Sequence, residues 1–236
     1  MARIAGLDYA KATDHMTVAL NGFKLSAEDA SMVVDVYSKL AAISATDTQE
    51  LAYAMSKTAS IAESAGMSFE NTSVFLAQMI ETTREAPENI GTAMKTIIAR
   101  FQEMKKSPLE LVNVEGEEVS FNRVDKALQS IGMTLQDTSG QFKDLDDVIY
   151  ELAGKWDGLD RNTQRYIATT VAGSRQQSRF LALMQDSARL QELRTEALNA
   201  EDAGLVQYAK TLDSLESKLA QMNTAFQQFY MSMVNG

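Results

Sequence analysis

The stretch DTQELAYAMSKTASIAESAGMSFENTSVFLAQMIETTREAPENIGTAMKTIIARF, residues 47–101, decides the fold class. Asp47 with Glu50 three positions later is the reciprocal pattern of a capping box, in which each side chain reaches the other's backbone N–H. It predicts a helix over Leu51 to Ala65, ended by Gly66, the residue best suited to a left-handed C-terminal position. Ser68 opens a second helix with Phe69, Leu76 and Ile80 on its apolar side. Pro87 suits the first turn of a third, where its missing N–H costs nothing. That helix carries Met94, Ile97, Ile98 and Phe101. Upstream, Ser26 with Glu28 and Asp29 begins a segment whose Val33, Tyr37 and Leu40 recur at helical spacing. Four helices on very short links predict an all-α domain, preceded by a turn at Asn21-Gly22.

Downstream the pattern changes. Pro108 is a stop, and the residues flanking Glu115-Gly116 alternate, so Lys105 to Ser120 reads as a small β-hairpin. A short helix, Phe121 to Ile131, precedes a second turn or hairpin over Leu135 to Phe142. Asp144 with Asp147 begins a helix reaching about Trp156, and Asp160 with Thr163 begins one ended by Gly173. Ser174 then caps a long helix, Arg175 to Asn199, with Phe180, Leu183, Leu190 and Leu193 on one side. The fold class expected is therefore all-α: a multi-helix domain, residues 1–200, with one or two small β-hairpins and a long C-terminal helix, residues 201–236.

That last segment has the most regular pattern in the chain. Leu205, Tyr208, Leu212, Leu215, Leu219, Met222, Phe226, Phe229 and Met233 follow in alternating steps of three and four. Such an a/d seam specifies either a coiled coil between copies or a helix laid along a neighbouring helical surface. The seam still runs where the chain stops, which suggests a rod continuing in a longer polypeptide.

Composition removes most chemistry. Among 236 residues there is no cysteine and a single histidine, His15, which excludes disulfides, thiolate nucleophiles and poly-histidine metal sites. A net charge of −10 opposes a nucleic-acid surface, since phosphate neutralisation needs clustered Lys and Arg. No run approaches the roughly 20 apolar residues that span a bilayer. Phosphate-loop, dinucleotide, zinc-protease and serine-elbow motifs are all missing. The acidic pairs Glu117-Glu118 and Asp144/Asp147 read as turn and helix-start residues. Met55, Met67, Met79, Met94 and Met104 read as core filling, Trp156 as a packed side chain, and Arg175, Arg179, Arg189 and Arg194 as a mixed solvent face. No catalytic residue, cofactor or metal ligand is expected.

The order Asp35-Val36 to Leu40, Thr48-Gln49-Glu50-Leu51-Ala52, Ala65-Gly66-Met67-Ser68, Gly91 to Lys95 and Arg100-Phe101 resembles the core region of bacteriophage tail tape measure proteins. Ala127 to Gly132 running into Asp137 to Phe142, then Leu145 to Trp156 and Ala168 to Met184 around Ala172-Gly173-Ser174, continue the resemblance over about residues 29–186. It implies a structural, non-enzymatic role as length ruler and scaffold for tail-tube assembly. The implied partners are other copies of itself, tail-tube proteins and tail-tip or baseplate proteins, without specific nucleic acid. The implied place is the virion tail lumen, after assembly in the bacterial host cytoplasm. Two other classes predict different things: a helical adaptor would show a concave groove, and a cell-wall hydrolase would need two carboxyl groups about 5–9.5 Å apart across a cleft.

Overall fold

The computed structural model describes Met1, residues 9–102 and residues 123–234, without the side chains of residues 220 and 223–234. Eleven α-helices follow one another among the described residues: α1 Tyr9–Gly22, α2 Ala30–Ile43, α3 Thr48–Ser64, α4 Phe69–Thr83, α5 Pro87–Gln102, α6 Arg123–Gln129, α7 Leu145–Trp156, α8 Arg161–Ala172, α9 Gln177–Met184, α10 Ser187–Leu198 and α11 Ala203–Val234. A 3-10 turn, Ala27–Asp29, leads into α2.

The capping signals at Asp47, Ser68 and Asp160 act as their chemistry requires, whereas Asp144 makes no side-chain cap bond at the start of α7 and Ser174 caps no helix, since α9 begins at Gln177. Asp47 Oδ1 accepts the Glu50 N–H at 2.7 Å while Glu50 Oε2 accepts that of Asp47 at 3.2 Å. Ser68 Oγ accepts the Asn71 N–H at 3.0 Å, and Asp160 Oδ1 those of Asn162 and Thr163 at 2.9 and 3.2 Å. Gly66 has φ +79°, and a side chain there would overlap the Asp144 carboxylate.

Helix α4 is the hub. Asn71 through Ile80 are buried without interruption, so this helix has no solvent face and must be enclosed on all sides. The enclosing helices are α2, α3, α5, α9 and α10; α1 lies outside on α3, α8 against α5, α6 and α9, and α11 against α2. The tightest crossing joins α3 to α5 at Gly91, where a Cβ would overlap the Ala54 carbonyl. Thr58 Oγ1 shares its one hydrogen between its own helix's Ala54 carbonyl at 3.1 Å and, across that crossing, the Gly91 carbonyl at 3.2 Å. Met55, Met67, Met79 and Met94 are core residues; Met104 lies outside the described residues. Trp156 is buried edge-on to Phe180, with ring centroids 5.8 Å apart.

The structure corrects three expectations. The first concerns β structure, since no strand occurs among the described residues. One expected hairpin, Lys105 to Ser120, lies outside them. The other, Leu135 to Phe142, is a turn closed by one isolated antiparallel bridge, Gln136 to Phe142. Asp137 Oδ1 takes the Ser139 and Gln141 N–H groups at 2.8 and 2.9 Å, and the pairing stops after the Lys143 N–H reaches the Leu135 carbonyl at 2.9 Å, because the chain enters α7 at Leu145.

Secondly, the helix expected over Arg175 to Asn199 is two helices. Asp186 turns its carboxylate to the Arg189 N–H at 2.8 Å and restarts the chain as α10. Thirdly, the arginines expected on a solvent face are mostly inter-helix clamps. Arg179 pairs with Glu85, Arg189 reaches Glu81 at 3.2 Å and the Ile43 carbonyl at 2.5 Å, and the Arg194 guanidinium sits 4.0 Å over the Tyr150 ring. Of the four, only Arg175 is exposed.

Candidate association surface

Helix α11 attaches to α2 through its first turns. Gly204 is buried there and its N–H donates to Asp35 Oδ1 at 2.8 Å, so a carboxylate from another helix satisfies one of α11's unpaired N-terminal donors. A Cβ on Gly204 would stand 2.8 Å from that oxygen and 2.9 Å from Val34 Cγ1. Ala203, Gln207 and Thr211 are half-buried on the same side, and Ser38, Ala42 and Val206 help line a groove of about 240 Å³ between the two helices. The docking face is thus built of small and mixed side chains on the first turns of α11.

The apolar positions turn elsewhere. Leu205 is 67% exposed and Met222 61%, with Tyr208, Leu215 and Leu219 also exposed and Leu212 half-buried. The side chains of Phe226, Phe229 and Met233 lie outside the described residues. The described part of the seam is therefore an apolar strip, exposed except at half-buried Leu212, on a helix of 32 residues, about 48 Å long at 1.5 Å per residue. Leu198, at the end of α10, is 58% exposed as well. Gly204 and Asp35 carry no signal in the sequence, because their pairing depends on which helices meet.

The candidate chemical groups are used in packing. Asp146 is buried where α7 meets the start of α4; its Oδ2 accepts the Asn71 amide at 2.6 Å and the Ser68 N–H at 3.2 Å. Tyr150 Oη donates to Asn71 Oδ1 at 3.1 Å, which closes the network. Asp144 and Asp147 are exposed beside it, and Glu117 and Glu118 lie outside the described residues. An open groove of about 400 Å³ holds Asp125 and Asp137. Burial pushes the Asp125 carboxyl up from its usual range, against a hydrogen bond from Gln129 at 2.6 Å. Hydrogen bonds from Ser139 and Gln141 hold Asp137 low. Asp125 is thus engaged from within α6 and Asp137 by its own turn. His15 packs edge-on to Tyr53 at 4.6 Å, and burial lowers its pKa. Among the described residues no group of three or more metal-ligating side chains forms, and no helix is long and apolar enough to cross a membrane.

Arg100 connects two of the distant segments that carry the resemblance. Its guanidinium lies against Gly173, whose φ is +73°, and donates to the Thr170 carbonyl at 3.1 Å.

Comparison with known proteins agrees with the resemblance. The profile of the phage-related minor tail protein family matches residues 1–173. A tape measure protein of Pneumococcus phage Dp-1 is 27% identical over 228 residues, covering 96% of this chain. The chain spans 18% of that relative's length. No solved structure matches it. With well over half its length matched, the chain belongs to the phage-related minor tail protein family.

Proposed function

We propose that this chain is a structural segment of a tail tape measure protein, acting as length ruler and scaffold for tail-tube assembly in the tail lumen. Residues 1–200 form the compact body and residues 201–236 the start of a rod. The observation that carries this reading is the strip from Leu205 to Met222, exposed except at half-buried Leu212, on a long helix that docks only by its first turns. A heptad strip is complementary to another of the same period, and a second copy supplies one. The likeness to a phage tape measure protein supports the ruler role, since a helix holds a fixed contour length per residue.

The partners on this reading are further copies through Leu205, Tyr208, Leu212, Leu215, Leu219, Met222, Phe226, Phe229 and Met233, together with tail-tube and tail-tip or baseplate proteins. Assembly takes place in the bacterial host cytoplasm. The net charge of −10 limits adhesion to DNA that later passes through the tube. Its role is not enzymatic. Light scattering on the full chain, and on a truncation ending before Ala203, tests the association. The full chain is expected to exceed monomer mass and the truncation to be monomeric. Two monomers at high concentration would refute it.

A further inference from the structure

Helix α8 presents a second surface of different character. Arg161, Arg165 and Tyr166 are exposed on it, and Arg175 is exposed in the turn that follows. Gln177 Nε2 donates to the Arg165 carbonyl at 3.5 Å and holds that turn against the helix. Residues 161–185 contain four arginines and neither Asp nor Glu, within a chain of net charge −10. The fourth, Arg179, is committed to Glu85; among the described residues the other three have no ion-pair partner. Helix α6, packed on α8, adds exposed Arg123 and Lys126, whereas its Asp125 is buried. Asp157 and Asp160 are the adjoining exposed acids, and Asp160 is engaged as the α8 cap, also accepting the Thr163 hydroxyl at 2.5 Å.

We infer that this face docks a second copy of the chain, receiving the carboxylates of Asp213 and Glu216 on that copy's α11. Arg and Tyr with little Lys is the composition of protein hot spots, and the acidic balance of the whole chain disfavours a polyanion. Arg161 and Arg165 are one helical turn apart, about 6 Å between Cβ atoms. A pair of carboxylates three positions apart on a facing helix has matching spacing, and the guanidinium fork can take each one bidentately. Asp213 and Glu216 are such a pair, exposed and without an ion-pair partner among the described residues. They flank the apolar strip, so this contact and seam pairing can coexist. It joins unlike surfaces on successive copies, hence it builds a ring or a chain of copies and not a symmetric pair.

The test is sedimentation of the full chain in about 0.1 M and about 1 M salt, where the screening length falls from ~10 to ~3 Å. Average mass is expected to fall with salt. Arg161→Glu/Arg165→Glu and Asp213→Lys/Glu216→Lys should each weaken the salt-sensitive association on the order of tenfold. Mixing the two variants should restore a salt-sensitive pair, because each retains the surface the other has lost. Arg161→Gln/Arg165→Gln provides a neutral second variant should charge reversal impair folding. Leu215→Asp/Leu219→Asp separates this contact from the seam, since it should lower mass at both salt concentrations. A mass independent of salt, failure of the mixture to recover, or retardation of a duplex DNA oligonucleotide through Arg161 and Arg165 would overturn the proposal.

Discussion

Replacing Gly91 with alanine sets two physical effects against each other. Helix propensity favours alanine by about 1 kcal/mol in a helix interior. The structure opposes it: the new Cβ would overlap the Ala54 carbonyl and lie 3.0 Å from that residue's C and Cα, all backbone atoms that cannot rotate away. Relief requires α3 and α5 to separate, at about 1–3 kcal/mol for overpacking. Separation also weakens the shared Thr58 to Gly91 contact of 3.2 Å, at most about 1 kcal/mol because the hydroxyl keeps the Ala54 carbonyl. The balance is a net loss of about 2 kcal/mol, or roughly 4–8 °C in Tm for a chain of this size. Gly154 is the internal control. It sits in α7, where an added Cβ would meet no atom within 4 Å, so Gly154→Ala should stabilise by about 0.5–1 kcal/mol. Urea unfolding followed by circular dichroism measures both. If Gly91→Ala raises stability as Gly154→Ala does, the close crossing is wrong and propensity alone governs the site.

Asp146→Ala leaves the Ser68 N–H and the Asn71 amide without their buried acceptor and should cost about 2–4 kcal/mol, whereas exposed Asp147→Ala should change stability by under about 1 kcal/mol; chemical denaturation compares them. His15 yields a pH dependence. Its pKa is lowered in the fold by burial, so below its ordinary value of 6.5 the unfolded chain binds more protons. Stability should therefore be full above pH 6.5 and decline as pH falls from there to the folded pKa; His15→Gln should flatten that part of a Tm-against-pH curve.

How much of the fold is legible in the sequence depends on whether the signal is local. Capping at Asp47, Ser68 and Asp160, the left-handed Gly66 and Gly173, and the start at Pro87 are set by residues within one turn of each other, so they can be read along the chain. The break at Asp186 is local too, but the apolar residues from Phe180 to Leu193 run in helical period through it and conceal the cap. The clamping role of Arg179 and Arg189 escapes a reading along the chain because Glu85 and Glu81, which they face, lie about a hundred positions away. For the association surface, the heptad strip is visible as a period, and its exposure is not. The sequence by itself determined the helical class, the caps and the spacing of the strip, because these depend on backbone hydrogen bonds and side chains a few residues apart. The enclosure of α4, the hold of Gly204 and Asp35 on α11 and the exposure of the strip from Leu205 to Met222 except at Leu212 emerge only in three dimensions, because burial is a property of which surfaces meet.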